Sequence, residues 1–179
     1  MKGIVTATCI SEKKGTRKHP VPSITLLENC GIIGDAHAVN ADTPEFYRHR
    51  QVSLLAEESV DKMRALGMEL NPGDFAENIL TKGIELKSLP IGTILTIGNA
   101  ELEVTQIGKE CHNDCEIKKL TGKCVMPTEG IFAIVRKGGT IKSGDTVETS
   151  LPLEVLPVGE TSRSDSGGAV SGEEKVSSD

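Results

Sequence analysis

Ile94-Leu-Thr-Ile97, Gly98-Asn99 and Ala100-Glu-Leu-Glu-Val-Thr-Gln-Ile107 form the stretch that decides the fold. Two β-prone arms flank a two-residue turn, and Gly98 at the first central position suits the positive φ of a type II′ hairpin. Residues of equal parity share a face of a strand, so Leu102 and Val104 point the same way. Pro90-Ile91-Gly92 opens the hairpin with a chain reversal.

Short strands recur on either side. Residues 3–10 and 24–28 read as strands, separated by the basic polar loop Lys13-Lys-Gly-Thr-Arg-Lys-His-Pro20. Residues 51–55 read as a strand leading into a helix over 56–66. Ala56, Val60, Met63 and Leu66 approximate one helix face, with Gly67 as a C-terminal cap. A Pro72-Gly73-Asp74 turn precedes Phe75-Ala-Glu-Asn-Ile79. Further strands are predicted over 131–135, 140–142 and 146–149, punctuated by Lys137-Gly138-Gly139 and Gly144-Asp145. Short strands at regular spacing suggest a barrel. The predicted class is mainly β, a barrel with a few peripheral helices.

Composition narrows the function. The 179 residues suffice for one domain with a full core. Residues 1–150 read as that domain and 151–179 as a disordered tail, since 158–179 hold six Ser, four Gly and five acidic residues. Aromatics are 2% of the chain and Trp is absent, so the core must be aliphatic and base-stacking surface is scarce. The net charge of -6 argues against nucleic acid and anionic membranes as partners, while leaving an anionic small ligand open through local basic residues. There is no apolar run of roughly 18 residues and no cleavable leader, which points to the cytosol.

Five cysteines, Cys9, Cys30, Cys111, Cys115 and Cys124, are an odd number without an export signal, so reduced thiols or metal ligands fit better than disulfides. Cys111 directly follows a strong strand, with Lys109 and His112 beside it, and nearby positive charge favours a thiolate. It can be a reactive thiol or a passive half-buried one. Cys111, His112, Cys115 and Cys124 could also hold a structural zinc or an iron-sulfur cluster, although Cys-x3-Cys-x8-Cys is not a standard zinc spacing. Asp35 and His37 share a face if the segment is extended, or bracket a ligand if it turns. Arg48 and Arg50 offer guanidiniums that fork onto phosphate or carboxylate, against the alternative of a solvated charged loop. Glu77-Asn78 reads first as a pair that orients neighbouring loops through side-chain hydrogen bonds.

Taken together, Gly31-Ile-Ile-Gly-Asp-Ala-His37, Arg50-Gln-Val-Ser-Leu-Leu55, Pro72-Gly-Asp-Phe-Ala-Glu-Asn-Ile79, Leu89-Pro-Ile-Gly-Thr93, Cys111 and Lys142-Ser-Gly-Asp-Thr146 resemble a MOSC domain (molybdenum cofactor sulfurase C-terminal domain) of the small, stand-alone bacterial type. The likeness runs over residues 3–149. It implies a β-rich barrel and a cysteine, here Cys111, that carries sulfur as a persulfide or ligates the molybdenum of a pterin cofactor. Asp35, His37, Arg48, Arg50, Asn78, Lys109 and Lys137 become the candidate cofactor contacts, with His112, Cys115 and Cys124 as auxiliary ligands or resolving thiols. The implied partners are the molybdenum cofactor, a sulfur donor such as a cysteine desulfurase, and an electron donor if N-hydroxylated compounds are reduced. Pyridoxal phosphate is not expected, because the resemblance leaves no room for a desulfurase domain. Glu110 stands where a proline usually precedes the family's cysteine. The alternative is a non-catalytic module braced by zinc or an iron-sulfur cluster on Cys111, Cys115 and Cys124.

Overall fold

The computed structural model describes residues 1–110, 118, 119, 122 and 124–152. The 94–107 hairpin forms as its turn chemistry requires: β7 (Ile94–Ile97) pairs with β8 (Ala100–Ile107), Ile97 opposite Ala100, and Gly98 takes φ 59°. Leu95, Ile97, Leu102 and Val104 alternate inward and are fully buried.

The other strands are β1 (Lys2–Ile10), β2 (His19–Val21), β3 (Ser23–Leu27), β4 (Gly31–Ile32), β5 (Val52–Ala56), β6 (Ile79–Lys82), β9 (Ile131–Lys137), β10 (Gly139–Lys142) and β11 (Thr146–Ser150). Strands β11, β7, β8, β9, β5, β6 and β1 are hydrogen-bonded in that order, and β1 pairs back onto β11, closing a seven-stranded barrel. The protein is therefore mainly β, with a closed barrel and few helices. β2 adds to the free end of β1, and β10-β3-β4 form a separate three-stranded sheet.

β5 and β6 run parallel, which hairpins cannot achieve, and helix α1 (Glu57–Arg64) makes the crossover. All five residues of β5 are buried. Its inner side chains join an aliphatic core of Leu54, Ile79, Leu95, Leu102, Val104, Val135 and Val147. Its outer Leu55 joins Val60 and Met63 of α1, Leu70, Phe75, Phe132 and Met126 of helix α2 (Met126–Glu129) in a second cluster outside the barrel.

Several local expectations are corrected. α1 ends at Arg64, two residues short of the predicted limit, and Leu66 is 63% exposed rather than on the buried face. β10 does not fold back on β9 across Gly138; it pairs with β3, Ile141 opposite Ile24. β2 arises largely in the segment read as a basic loop, and β6 where no element was assigned. The predicted tail from 153 onward lies outside the described residues. Among the described residues no helix is long and apolar enough to cross a membrane.

Candidate functional site

Loops gather at one mouth of the barrel. The turn at 72–76 presses against the basic loop at 13–18: Lys18 N–H donates to Gly73 O at 2.9 Å, and a Cβ on Gly73 would lie 2.2 Å from the Lys18 carbonyl oxygen. Only glycine, here at φ 90°, permits that approach. It buries Lys18, whose side chain is 1% exposed, beside the fully buried Asp35.

Asp35 is the hub. Its Oδ1 accepts from Lys18 Nζ at 2.6 Å, Ser11 N–H at 3.1 Å and Asn78 Nδ2 at 3.1 Å, while Oδ2 accepts the His37 N–H at 3.0 Å. Burial opposes its charge, but the Lys18 ammonium and the His37 backbone N–H hold the carboxyl well below the usual range. Burial pulls the Lys18 ammonium down from its ordinary value, with Asp35 acting against that pull.

Beside this hub lies a cavity of about 60 Å³ whose lining includes His37, Arg50, Ser53, Ala76, Asn78, Lys109, Met126 and Phe132. Counting hydrogen bonds separates scaffold from free groups. The Nδ2 protons of Asn78 go to Cys9 O at 3.0 Å and to Asp35, and its Oδ1 accepts the Ser53 N–H and sits 3.1 Å from Ser53 Oγ. Asn78 and Ser53 therefore tie β1, β5 and β6 together and leave no free donor. Ala76, a non-glycine residue at φ 63°, turns its carbonyl to within 3.1 Å of Ser53 Oγ. What remains facing the cavity is cationic or donating: the two terminal nitrogens of Arg50, Lys109 and the His37 ring.

Arg50 is held from behind. Its Nε donates to Gln106 Oε1 at 3.0 Å, an oxygen also 2.7 Å from His49 Nε2, and Gln106 Nε2 donates to Gly108 O at 2.7 Å. Its guanidinium carbon lies 5.6, 5.3 and 5.5 Å from the ring centroids of Phe46, Tyr47 and Phe132. The chain has three Phe and one Tyr, so three of its four aromatic rings surround this one guanidinium. Fixing Arg50 this way lowers the entropy lost on binding a planar oxyanion.

The fold thus brings together Asp35, His37, Arg50, Asn78 and Lys109. Arg48 turns away, pairing with Glu45 at 3.3 Å and Asn40 O at 3.4 Å. Lys137 is exposed at the far end of β9 from Phe132 and opposite Glu101. Cys111, His112 and Cys115 lie outside the described residues, and Cys124 is half-buried against the outer core. Among the described residues no three His, Cys, Asp or Glu side chains are grouped to hold a metal ion.

Sequence reasoning passed over Lys18, Ser53 and Phe132. Lys18 sits in a run of four cations with nothing local to mark it as the buried one. Glu77 is buried as well: its carboxylate accepts the Gly73 N–H at 2.6 Å and the Phe75 N–H at 3.1 Å, and burial pushes its carboxyl up to about 7. Cys9 is fully buried, and burial with the nearby Glu77 charge pushes its thiol up to about 12, which keeps it protonated and inert. A larger cavity of about 380 Å³ lies between α1 and residues 83–87, with Lys62, Lys87 and Glu129 on its wall. It contains none of the candidate site residues named from the sequence; α2 contributes Glu129 to this cavity and Met126 to the first.

A closed seven-stranded barrel with a small cavity beside its strand ends, lined by Arg50, Lys109 and His37 among apolar side chains, defines a class of small β-barrel domains. The chain belongs to the MOSC domain family: the profile of that domain matches residues 35–148. Its fold is similar to that of the YuaD protein from Bacillus subtilis, with a TM-score of 0.68 and 20% identity over 83% of this chain and 96% of that one. It is also similar to YiiM from Escherichia coli, with a TM-score of 0.58 and 17% identity over 86% and 71% of the two chains. YiiM from Geobacillus stearothermophilus gives a TM-score of 0.54 and 17% identity over 83% and 73%. No curated protein sequence matches the chain.

Proposed function

We propose that this protein holds the anionic end of a molybdenum cofactor in the mouth cavity and presents the Cys111 thiolate to its metal or its sulfur. The observation that carries the reading is the pair of cations, Arg50 and Lys109, that line the cavity beside His37 in a chain of net charge -6. Lys109 lies two residues before Cys111, so the basic wall and the thiol are consecutive in the chain.

The fit is specific about what enters. A volume of about 60 Å³ accommodates a phosphate-sized group. The pterin phosphate would occupy the cavity, and the rings would remain outside it. Arg50 would grip two oxygens with its terminal nitrogens while Gln106 holds its Nε; Lys109 would neutralise remaining charge; His37 would donate to a third oxygen. Asp35 and Lys18, outside the cavity lining, would keep these groups in place, and Ser53 and Asn78 would form part of the wall.

Bound there, the cofactor would supply two-electron redox chemistry of the kind that reduces N-hydroxylated compounds, given an electron-donor protein. In the sulfur-transfer variant, the Cys111 thiolate attacks the terminal sulfur of a cysteine desulfurase persulfide; the donor S–S bond breaks and the donor leaves as its thiolate.

The test is to purify wild type, Cys111→Ser and Arg50→Ala anaerobically from cells making the cofactor, then measure molybdenum, pterin and persulfide. Wild type should carry molybdenum and pterin or a persulfide. Cys111→Ser should lose the metal or the persulfide, and Arg50→Ala should lose pterin about tenfold or more, as expected when a charge-assisted bidentate contact of ~1.5–3 kcal/mol is removed. Wild type without either load, or equal loading in all three, would sink the proposal.

A further inference from the structure

The His37 Nδ1 faces a buried side chain, Lys18, that is not part of the cavity lining. Lys18 Nζ has three protons and a side chain 1% exposed, so no solvent can take one. Its neighbours number three: Asp35 Oδ1 at 2.6 Å, Ser11 Oγ at 3.4 Å and His37 Nδ1 at 3.3 Å. An ammonium has no lone pair and can only donate.

The competing arrangement puts a proton on Nδ1 and directs it to Asp35 Oδ2, 3.5 Å away. Counting disfavours it. Asp35 Oδ1 already accepts three donors, from Lys18, Ser11 and Asn78, and Oδ2, which accepts the His37 backbone N–H, lies at the outer limit of hydrogen-bond reach from the ring. A proton on Nδ1 would also leave one buried Lys18 proton facing a donor, an unsatisfied charged group. Ser11 cannot make up the difference, because its hydroxyl proton goes to Lys13 O at 3.1 Å.

We infer that Lys18 is a positioning and specificity-determining residue: by donating to Nδ1 it keeps the His37 proton on Nε2 and makes the cavity accept ligands that are hydrogen-bond acceptors only, such as a phosphate or sulfate group. Arg50 and Lys109 can only donate, and the donors of Asn78 and Ser53 are engaged. With His37 fixed as an Nε2–H donor, none of Arg50, Lys109 and His37 offers an acceptor to a ligand hydroxyl or amine. The reading shares its cavity with the proposed function but does not depend on which oxyanion-bearing molecule occupies it.

The experiment is long-range 1H–15N correlation of the imidazoles in the cofactor-free protein, with His37 assigned through His37→Gln. It is recorded at about pH 8, above the ordinary imidazole range. Wild type should show His37 protonated on Nε2 alone. Lys18→Met should convert it to the Nδ1–H form, now free to reach Asp35, and Lys18→Arg should restore the Nε2–H form. Inorganic phosphate, titrated by 31P line broadening, should bind wild type at least tenfold more tightly than Lys18→Met. An Nδ1–H or doubly protonated ring in wild type overturns the inference, as does an unchanged ring in a folded Lys18→Met. The wild-type spectrum alone decides if that variant does not fold. Failure of molybdenum loading alongside an Nε2–H ring would remove the cofactor reading and leave this one standing.

Discussion

Replacing Glu77 with Gln should abolish most of the stability that the wild-type protein loses between about pH 5 and about pH 8. Glu77 is 1% exposed, and burial raises its carboxyl from 4.5 to about 7 although Gly73 and Phe75 donate backbone N–H groups to it. Below 4.5 the folded and unfolded chains are both protonated there, and the group contributes nothing to the pH dependence. Between 4.5 and about 7 the unfolded chain ionises while the folded protein keeps its proton. The unfolded state then binds fewer protons, so stability falls as pH rises and levels off above about 7. At about 1.4 kcal/mol per pH unit, that interval amounts to about 3 kcal/mol. Gln also sets its NH2 against one of the two backbone donors, which costs about 1–3 kcal/mol but equally at every pH. Urea unfolding followed by far-UV circular dichroism suits a chain without Trp. Wild type should lose about 3 kcal/mol from the acid to the alkaline condition and Glu77→Gln close to none. The same loss in both proteins would refute the assignment of this slope to Glu77.

Three further outcomes are expected. Leu102→Ala, at a side chain 0% exposed in the barrel interior, should lower unfolding free energy by about 2–5 kcal/mol in the same urea assay. Gly73→Ala combines φ 90° with a Cβ 2.2 Å from the Lys18 carbonyl, so it should cost more than the ~1–3 kcal/mol of a strained backbone alone, read as a drop in Tm. Lys18→Met should cost about 3–5 kcal/mol by stranding the Asp35 charge, and adding Asp35→Asn should recover part of it in a double-mutant cycle.

The readable parts of the fold were those whose causes are local. The hairpin at 94–107 carries its turn glycine and its alternation within fourteen residues, and both arms form at the predicted limits. β2 and β4 span three and two residues, too short to show a strand period, although their partners β1 and β3 are near in sequence; the four-residue β6 has distant partners, so no window of sequence contains its cause. β6 pairs with β1 and, in parallel, with β5, contacts decided by closure. Leu66 fits the helical period but lies past the point where α1 ends and Gly67 turns at φ 92°.

The same division holds at the mouth. Asp35, His37, Arg50 and Asn78 stood out because they lie within the resemblance's motif segments, and those segments meet. Lys18 was hidden among Lys13, Lys14 and Arg17, since its burial comes from Gly73, fifty-five positions away. Arg48 and Arg50 both offered a guanidinium for an oxyanion; Gln106 and the rings of Phe46, Tyr47 and Phe132 fix Arg50, while Arg48 pairs with Glu45.

The seam between β1 and β11 bears on how the chain reaches this fold. The Met1 amino group donates to Thr149 Oγ1 at 3.0 Å, a contact between positions 148 residues apart. During synthesis β1 emerges first and keeps one edge open until β11 arrives, so the barrel cannot close on the ribosome before nearly the whole domain is outside. Pairings of such long range make folding slow for the chain's size and leave β1 and β7 exposed to wrong partners meanwhile. Residues 1 and 150 also lie side by side, so a short link could join them and new ends could be opened at the Gly98-Asn99 turn. A rearranged chain of that kind would form the seam early, from neighbouring residues, and should fold faster than the native order.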